Sequence, residues 1–112
     1  MSEDLVEASG RVLDAVVTSM GGSAREGQAS MVAEGAAALE AREHLLVQAG
    51  TGTGKSLGYL VPLLTHCAVS GVRGLVSTAT LALQRQILVK DAPVAVDAVA
   101  SATGVRLKVA VL

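Results

Sequence analysis

Apolar residues at the start of the chain recur near helical spacing, with Leu5, Val6, Val12, Leu13, Val16, Val17 and Met20 falling on one side of a 3.6-residue turn. Ser2 reads as the N-cap, Glu3 and Asp4 favour the first turn, and Gly21-Gly22 ends the helix. A second helical pattern covers 29–42, with Met31, Val32, Ala36 and Leu39 as its apolar side and Gly35 as a modest weakness. The run His44-Leu45-Leu46-Val47-Gln48 breaks that period. Short, apolar and followed by glycines, it predicts a buried parallel strand. A helix over 54–70 follows, with a kink expected at Pro62, whose ring crowds the carbonyl of Gly58. Gly74-Leu75-Val76-Ser77-Thr78 predicts the second strand and closes a right-handed βαβ unit. Two more helices are predicted, over 81–90 up to Pro93 and over 94–102 up to Gly104. The last segment, 105–111, alternates apolar residues with Arg106, Lys108 and Ala110 as a strand does. The pattern predicts an α/β fold, a parallel sheet core with flanking helices.

Composition narrows the functions open to such a fold. With 112 residues, 51% hydrophobic and 17% charged, the chain has the make-up of one folded unit rather than two domains or a disordered tail. Nine Lys and Arg against ten Asp and Glu leave a formal charge of -1, so a polyanion must be held by local contacts and not by a basic field. Cys67 is the one cysteine, which excludes an intrachain disulfide and points to a reducing compartment. The apolar stretch 57–76 is interrupted by Pro62, His66 and Arg73 and makes a poor membrane span, and Met1 to Asp4 carry acids where a secretory signal carries bases. A cytoplasmic protein is expected. A single Tyr, with no Phe or Trp, excludes a platform of stacked aromatics for bases.

The chemistry concentrates in Ala49-Gly50-Thr51-Gly52-Thr53-Gly54-Lys55-Ser56, between a predicted strand and a predicted helix. Glycines let the backbone curl so that successive N–H groups point inward, and the helix N-terminus adds roughly half a positive charge facing a phosphate. Lys55 would reach the β and γ phosphates of ATP, and the Ser56 hydroxyl would ligate Mg²⁺. The bland alternative is a glycine-rich turn with a surface lysine. Ala49 stands where the generic phosphate-loop pattern has glycine, a small change if the backbone there needs no positive φ.

This loop, Ala-x-x-Gly-x-Gly-Lys-Ser, resembles motif I of superfamily 2 helicases, and the stretch from Val47 to Ser56 is similar to the DinG/XPD branch. Arg25-Glu26-Gly27-Gln28 lies where that branch carries a glutamine motif. Ser77-Thr78-Ala79-Thr80-Leu81-Ala82-Leu83-Gln84-Arg85-Gln86 is similar to its motif Ia. The resemblance implies a P-loop NTPase of RecA-like fold. An N-terminal helix over 1–22 would precede the first, incomplete part of a helicase ATP-binding domain over 23–112. It implies ATP and Mg²⁺ as ligands and single-stranded DNA as partner, with hydrolysis coupled to unwinding in repair or replication; the phosphate loop by itself also suits another P-loop ATPase or kinase, or a non-catalytic nucleotide-binding module. Gln28 offers the donor and acceptor that adenine's N6 and N7 edge requires, or is a solvated amide. Arg25 stacks on the base or pairs with Glu26. Thr78 and Thr80 hold DNA phosphates, or belong to a Thr-rich turn that caps the next helix. The branch's iron–sulfur cysteines follow motif Ia, whereas Cys67 precedes it and matches none of them. No acid at the end of an apolar strand follows Ser56, so the residues expected to complete hydrolysis, and a second lobe with its arginine, lie outside these motifs.

Overall fold

Helix α1, Leu5–Ser19, starts where the Asp4 carboxylate accepts the Glu7 backbone N–H at 2.8 Å, so Asp4 is the N-cap. Ser2 lies outside the residues described by the computed structural model, which are 4–22, 25–48 and 54–112. A second acid reinforces that end: Glu40 Oε2 accepts the Leu5 N–H at 2.9 Å. Gly21, at φ 74, closes the helix as expected, its N–H donating to Thr18 O and that of Gly22 to Val17 O.

Helix α2, Glu26–Ala41, begins ahead of the expected 29 and buries Gln28, Val32 and Ala36 at four-residue spacing. It ends in the same hydrogen-bond pattern as α1, with Arg42 N donating to Leu39 O and Glu43 N to Ala38 O. Here the left-handed position is held by Arg42, at φ 58, among the described residues the one non-glycine with positive φ. A side chain in that region costs about 1–2 kcal/mol, partly offset by glycine's greater loss of entropy on folding. Arg42→Gly is therefore expected to raise stability by about 0.5–1 kcal/mol, read as a higher urea midpoint at unchanged m-value.

Helix α3, Lys55–Ser70, lies between Gly54 (φ 79) and Gly71 (φ 68) and continues through Pro62 as one helix. It packs closely on α2. A Cβ at Gly35 would sit 3.2 Å from Pro62 Cγ, and one at Gly58 only 2.6 Å from Met31 Sδ. The weakness that Gly35 brings to α2 is what admits the proline ring.

The last third differs most from expectation. Helix α4, Leu81–Gln86, passes through a π-helical turn, Ile87–Asp91, into α5, Ala92–Thr103. Pro93 does not stop the chain, because the turn before it has widened: Ala92 N–H donates to Ile87 O, five residues back. Gly104, at φ 79, ends α5 as read from the sequence. The four long helices meet at a core of Val12, Leu13, Val16, Val32, Val61, Ala98 and Val99. A second cluster, Leu60, Ile87, Ala92 and Ala95, ties the π-turn and α5 to α3.

Among the described residues no strand forms, and the expected parallel sheet is not there. Segments 44–48, 74–78 and 105–111 are irregular, and no backbone ladder joins them. Their apolar residues meet helices instead, Val76 against the second cluster and Leu107 against the first, while Leu46 and Leu75 are 98% and 76% exposed. A strand exists only where another backbone pairs with it, and an apolar run does not encode that partner. The α/β reading is corrected to a helical core carrying three unpaired segments.

Candidate functional site

Ala49, Gly50, Thr51, Gly52 and Thr53 lie outside the described residues. The rest of the glycine-rich motif forms the start of α3. Gly54 is its N-cap in the left-handed region, where a side chain would be strained. Its carbonyl opens the helix by accepting the Gly58 N–H at 3.0 Å. Lys55, in the first turn, is exposed, and no described acid pairs with it; Ser56 beside it is half-buried. This end of α3 thus presents free backbone donors, a lysine and a hydroxyl together, a set that suits an anion.

Gln28 joins them. Its side chain is 8% exposed, and Nε2 donates to Gly54 O at 3.2 Å, so the first turn of α2 is bonded to the first turn of α3. Arg25 is exposed at the N-cap of α2, where its carbonyl accepts the Ala29 N–H at 2.9 Å. The two upstream residues singled out in the sequence therefore share one helix end, and one of them touches the loop.

Thr78 and Thr80 are placed at the start of α4. Thr80 Oγ1 caps that helix by accepting the Leu83 N–H at 3.1 Å, and Thr78 Oγ1 donates to Thr80 O at 3.1 Å. The capping half of their reading is realised, and Thr80 remains exposed. A groove of about 660 Å³, whose walls include Met31, Leu39, Tyr59, Leu63, Leu75 and Thr78, runs between α2, α3 and the irregular segments. Neither Lys55 nor Gln28 lines it. Its residues are scattered over five parts of the chain, and only helical spacing hinted at some of them.

The remaining candidates are structural. Cys67 is buried under Gly74, and burial pushes its thiol above the usual range, against the reactivity of a thiolate. No group of three His, Cys, Asp or Glu able to hold a metal occurs among the described residues. No described helix is long and apolar enough to cross a membrane.

Relatives point the same way. The chain is 46% identical over all 112 residues to an ATP-dependent helicase DinG of Mycobacterium tuberculosis, of which it spans 17%. It is 42% identical over 73 residues, 65% of the chain, to a 3'-5' exonuclease DinG of Bacillus subtilis, of which the match spans 8%. Over 74 residues, 62% of the chain, it is 42% identical to an ATP-dependent DNA helicase DinG of Photobacterium profundum, spanning 11% of that protein. No solved structure matches it. Residues 25–104, from the Arg25 that opens α2 to the Gly104 that closes α5, match the DEAD/DEAH box helicase description, and the chain belongs to that family.

Proposed function

We propose that the chain binds ATP with Mg²⁺ at the Gly54-Lys55-Ser56 turn and is the nucleotide-binding part of a DinG-like, ATP-dependent DNA helicase. The observation that carries this reading is the junction of a left-handed Gly54 with an exposed Lys55 at the N-terminus of α3, in a chain of the helicase family. Lys55 neutralises the β and γ phosphates, backbone N–H groups hold their oxygens, and Ser56 gives one ligand to the ion, which supplies further charge neutralisation when bound. Thr78 and Thr80 contribute DNA phosphate contacts: the Thr80 hydroxyl, which caps by accepting, keeps its O–H to donate to a phosphate oxygen, and the turn from Thr78 to Thr80 offers backbone donors. Single-stranded DNA is the partner, and the cytoplasm the place of action.

Hydrolysis needs a carboxylate to orient the attacking water. Asp91 in the π-turn accepts from Gln86 Nε2 at 3.3 Å, and Asp97 pairs with Arg106 at 3.0 Å, so both are engaged within their own part of the chain. The expected behaviour of the 112 residues is binding without turnover, with single-stranded DNA-stimulated ATPase confined to the full gene product. Calorimetry on the 112-residue chain and a phosphate-release assay on the gene product test the two halves. Absence of ATP binding, or ATPase indifferent to DNA, overturns the corresponding half.

A further inference from the structure

We infer that Met31 is an oxidation site, whose conversion to the sulfoxide by a peroxide loosens the first turn of α3 and weakens nucleotide binding. The inference rests on the proposed nucleotide site and concerns its regulation. Met31, on α2, lays its thioether across the backbone of Gly58: a Cβ at Gly58 would lie 2.6 Å from Sδ, 3.2 Å from Cγ and 3.5 Å from Cε. Glycine leaves room for that approach, and the thioether fills it. Gly58 is also the residue whose N–H opens α3, donating to Gly54 O at 3.0 Å. The packing of Met31 therefore bears on the turn that carries Lys55 and Ser56.

The sulfur is within reach of a small oxidant. Met31 is half-buried, and both it and Gly58 line the groove of about 660 Å³ between α2, α3 and the irregular segments, so hydrogen peroxide meets it without unfolding of the chain. A lone pair of Sδ attacks one peroxide oxygen and the O–O bond breaks. The proton of the transferred oxygen passes to the departing hydroxide, which leaves as water; sulfur loses two electrons and the peroxide gains them. The new oxygen requires a hydrogen-bond donor, and the Gly58 N–H is already given to Gly54, so the side chain turns towards water and its contact with α3 is lost. Neither of two other sulfurs competes for this role. Cys67 is buried and its thiol is pushed up, which disfavours the thiolate that peroxide attacks. Met20, at the C-cap of α1, is 64% exposed and has little packing to lose.

The test is titration of the whole chain with Mg-ATP before and after hydrogen peroxide, beside Met31→Leu, a swap of similar volume that cannot be oxidised. Peptide mass spectrometry reads which methionines have gained oxygen. With Met31 oxidised, affinity is expected to fall about three- to tenfold. It is expected to return after treatment with a methionine sulfoxide reductase, and Met31→Leu is expected to show one affinity in both conditions. Unchanged affinity with Met31 fully oxidised overturns the inference. So does an equal loss in Met31→Leu, which would assign the effect to Met1, Met20 or Cys67, and so does a Met31 that stays reduced while Met20 is converted. The thermal midpoint is a readout independent of nucleotide: it is expected to drop on oxidation of the wild-type chain and not of the variant, and an equal midpoint overturns the inference too. An untreated wild-type chain that binds no Mg-ATP rejects the nucleotide site itself, an outcome distinct from all of these.

Discussion

Lys55→Ala is expected to weaken ATP binding tenfold to about a hundredfold without changing the thermal midpoint. The side chain is exposed at the first turn of α3, so its loss opens no cavity, and surface changes of this kind stay within about 0.5 kcal/mol of stability. The loss in binding follows from one charge-assisted contact, worth about 1.5–3 kcal/mol. Two readouts separate the site from the fold: calorimetric titration with Mg-ATP, and a melt of the same sample. Wild-type affinity in the variant would remove the phosphate-loop assignment. A lower melting point would mean that Lys55 supports the fold, against its exposure.

What could be read from the chain depended on how locally each feature is determined. The ends of α1 and α5 were legible because Gly21 and Gly104 occupy left-handed positions that glycine adopts at no steric cost. The end of α2 is set by the same geometry, but nothing about an arginine announces that Arg42 will take it. Pro93 read as a stop because a proline removes one donor and crowds the carbonyl four residues before it. Bonding at five-residue spacing just ahead of it, from Ala92 to Ile87, shows how the helix continues past it. The site divides in the same way. Gly54, Lys55 and Ser56 are adjacent, so their spacing is itself the signal. The bond from Gln28 to Gly54 spans 26 residues and depends on how α2 lies on α3, which periodicity does not encode. The segments taken for strands were apolar enough, but pairing is a property of two backbones and not of one run.

That last difference has a measurable consequence in two leucines that the sequence treats alike. Leu60, 3% exposed, fills the cluster with Ile87, Ala92 and Ala95 that joins α3 to the π-turn and α5. Leu46, at the centre of the run first read as a buried strand, is 98% exposed. Leu60→Ala removes buried methyl groups and leaves a cavity bounded by Ile87, Ala92 and Ala95, with Leu57, Leu64 and Leu83 packed around them, that closes only in part. The expected cost is about 2–5 kcal/mol. Set against the roughly 6–17 kcal/mol that a chain of this length commands, that is enough to lower the melting point by many degrees. Leu46→Ala changes an already hydrated side chain and is expected to stay within about 0.5 kcal/mol. Parallel urea titrations decide between the two architectures. A large loss at Leu60 with none at Leu46 is the signature of a helical core with unpaired segments, whereas comparable losses at both would mean that 44–48 is buried and that the sheet-based packing predicted by the apolar run is the better account of this region.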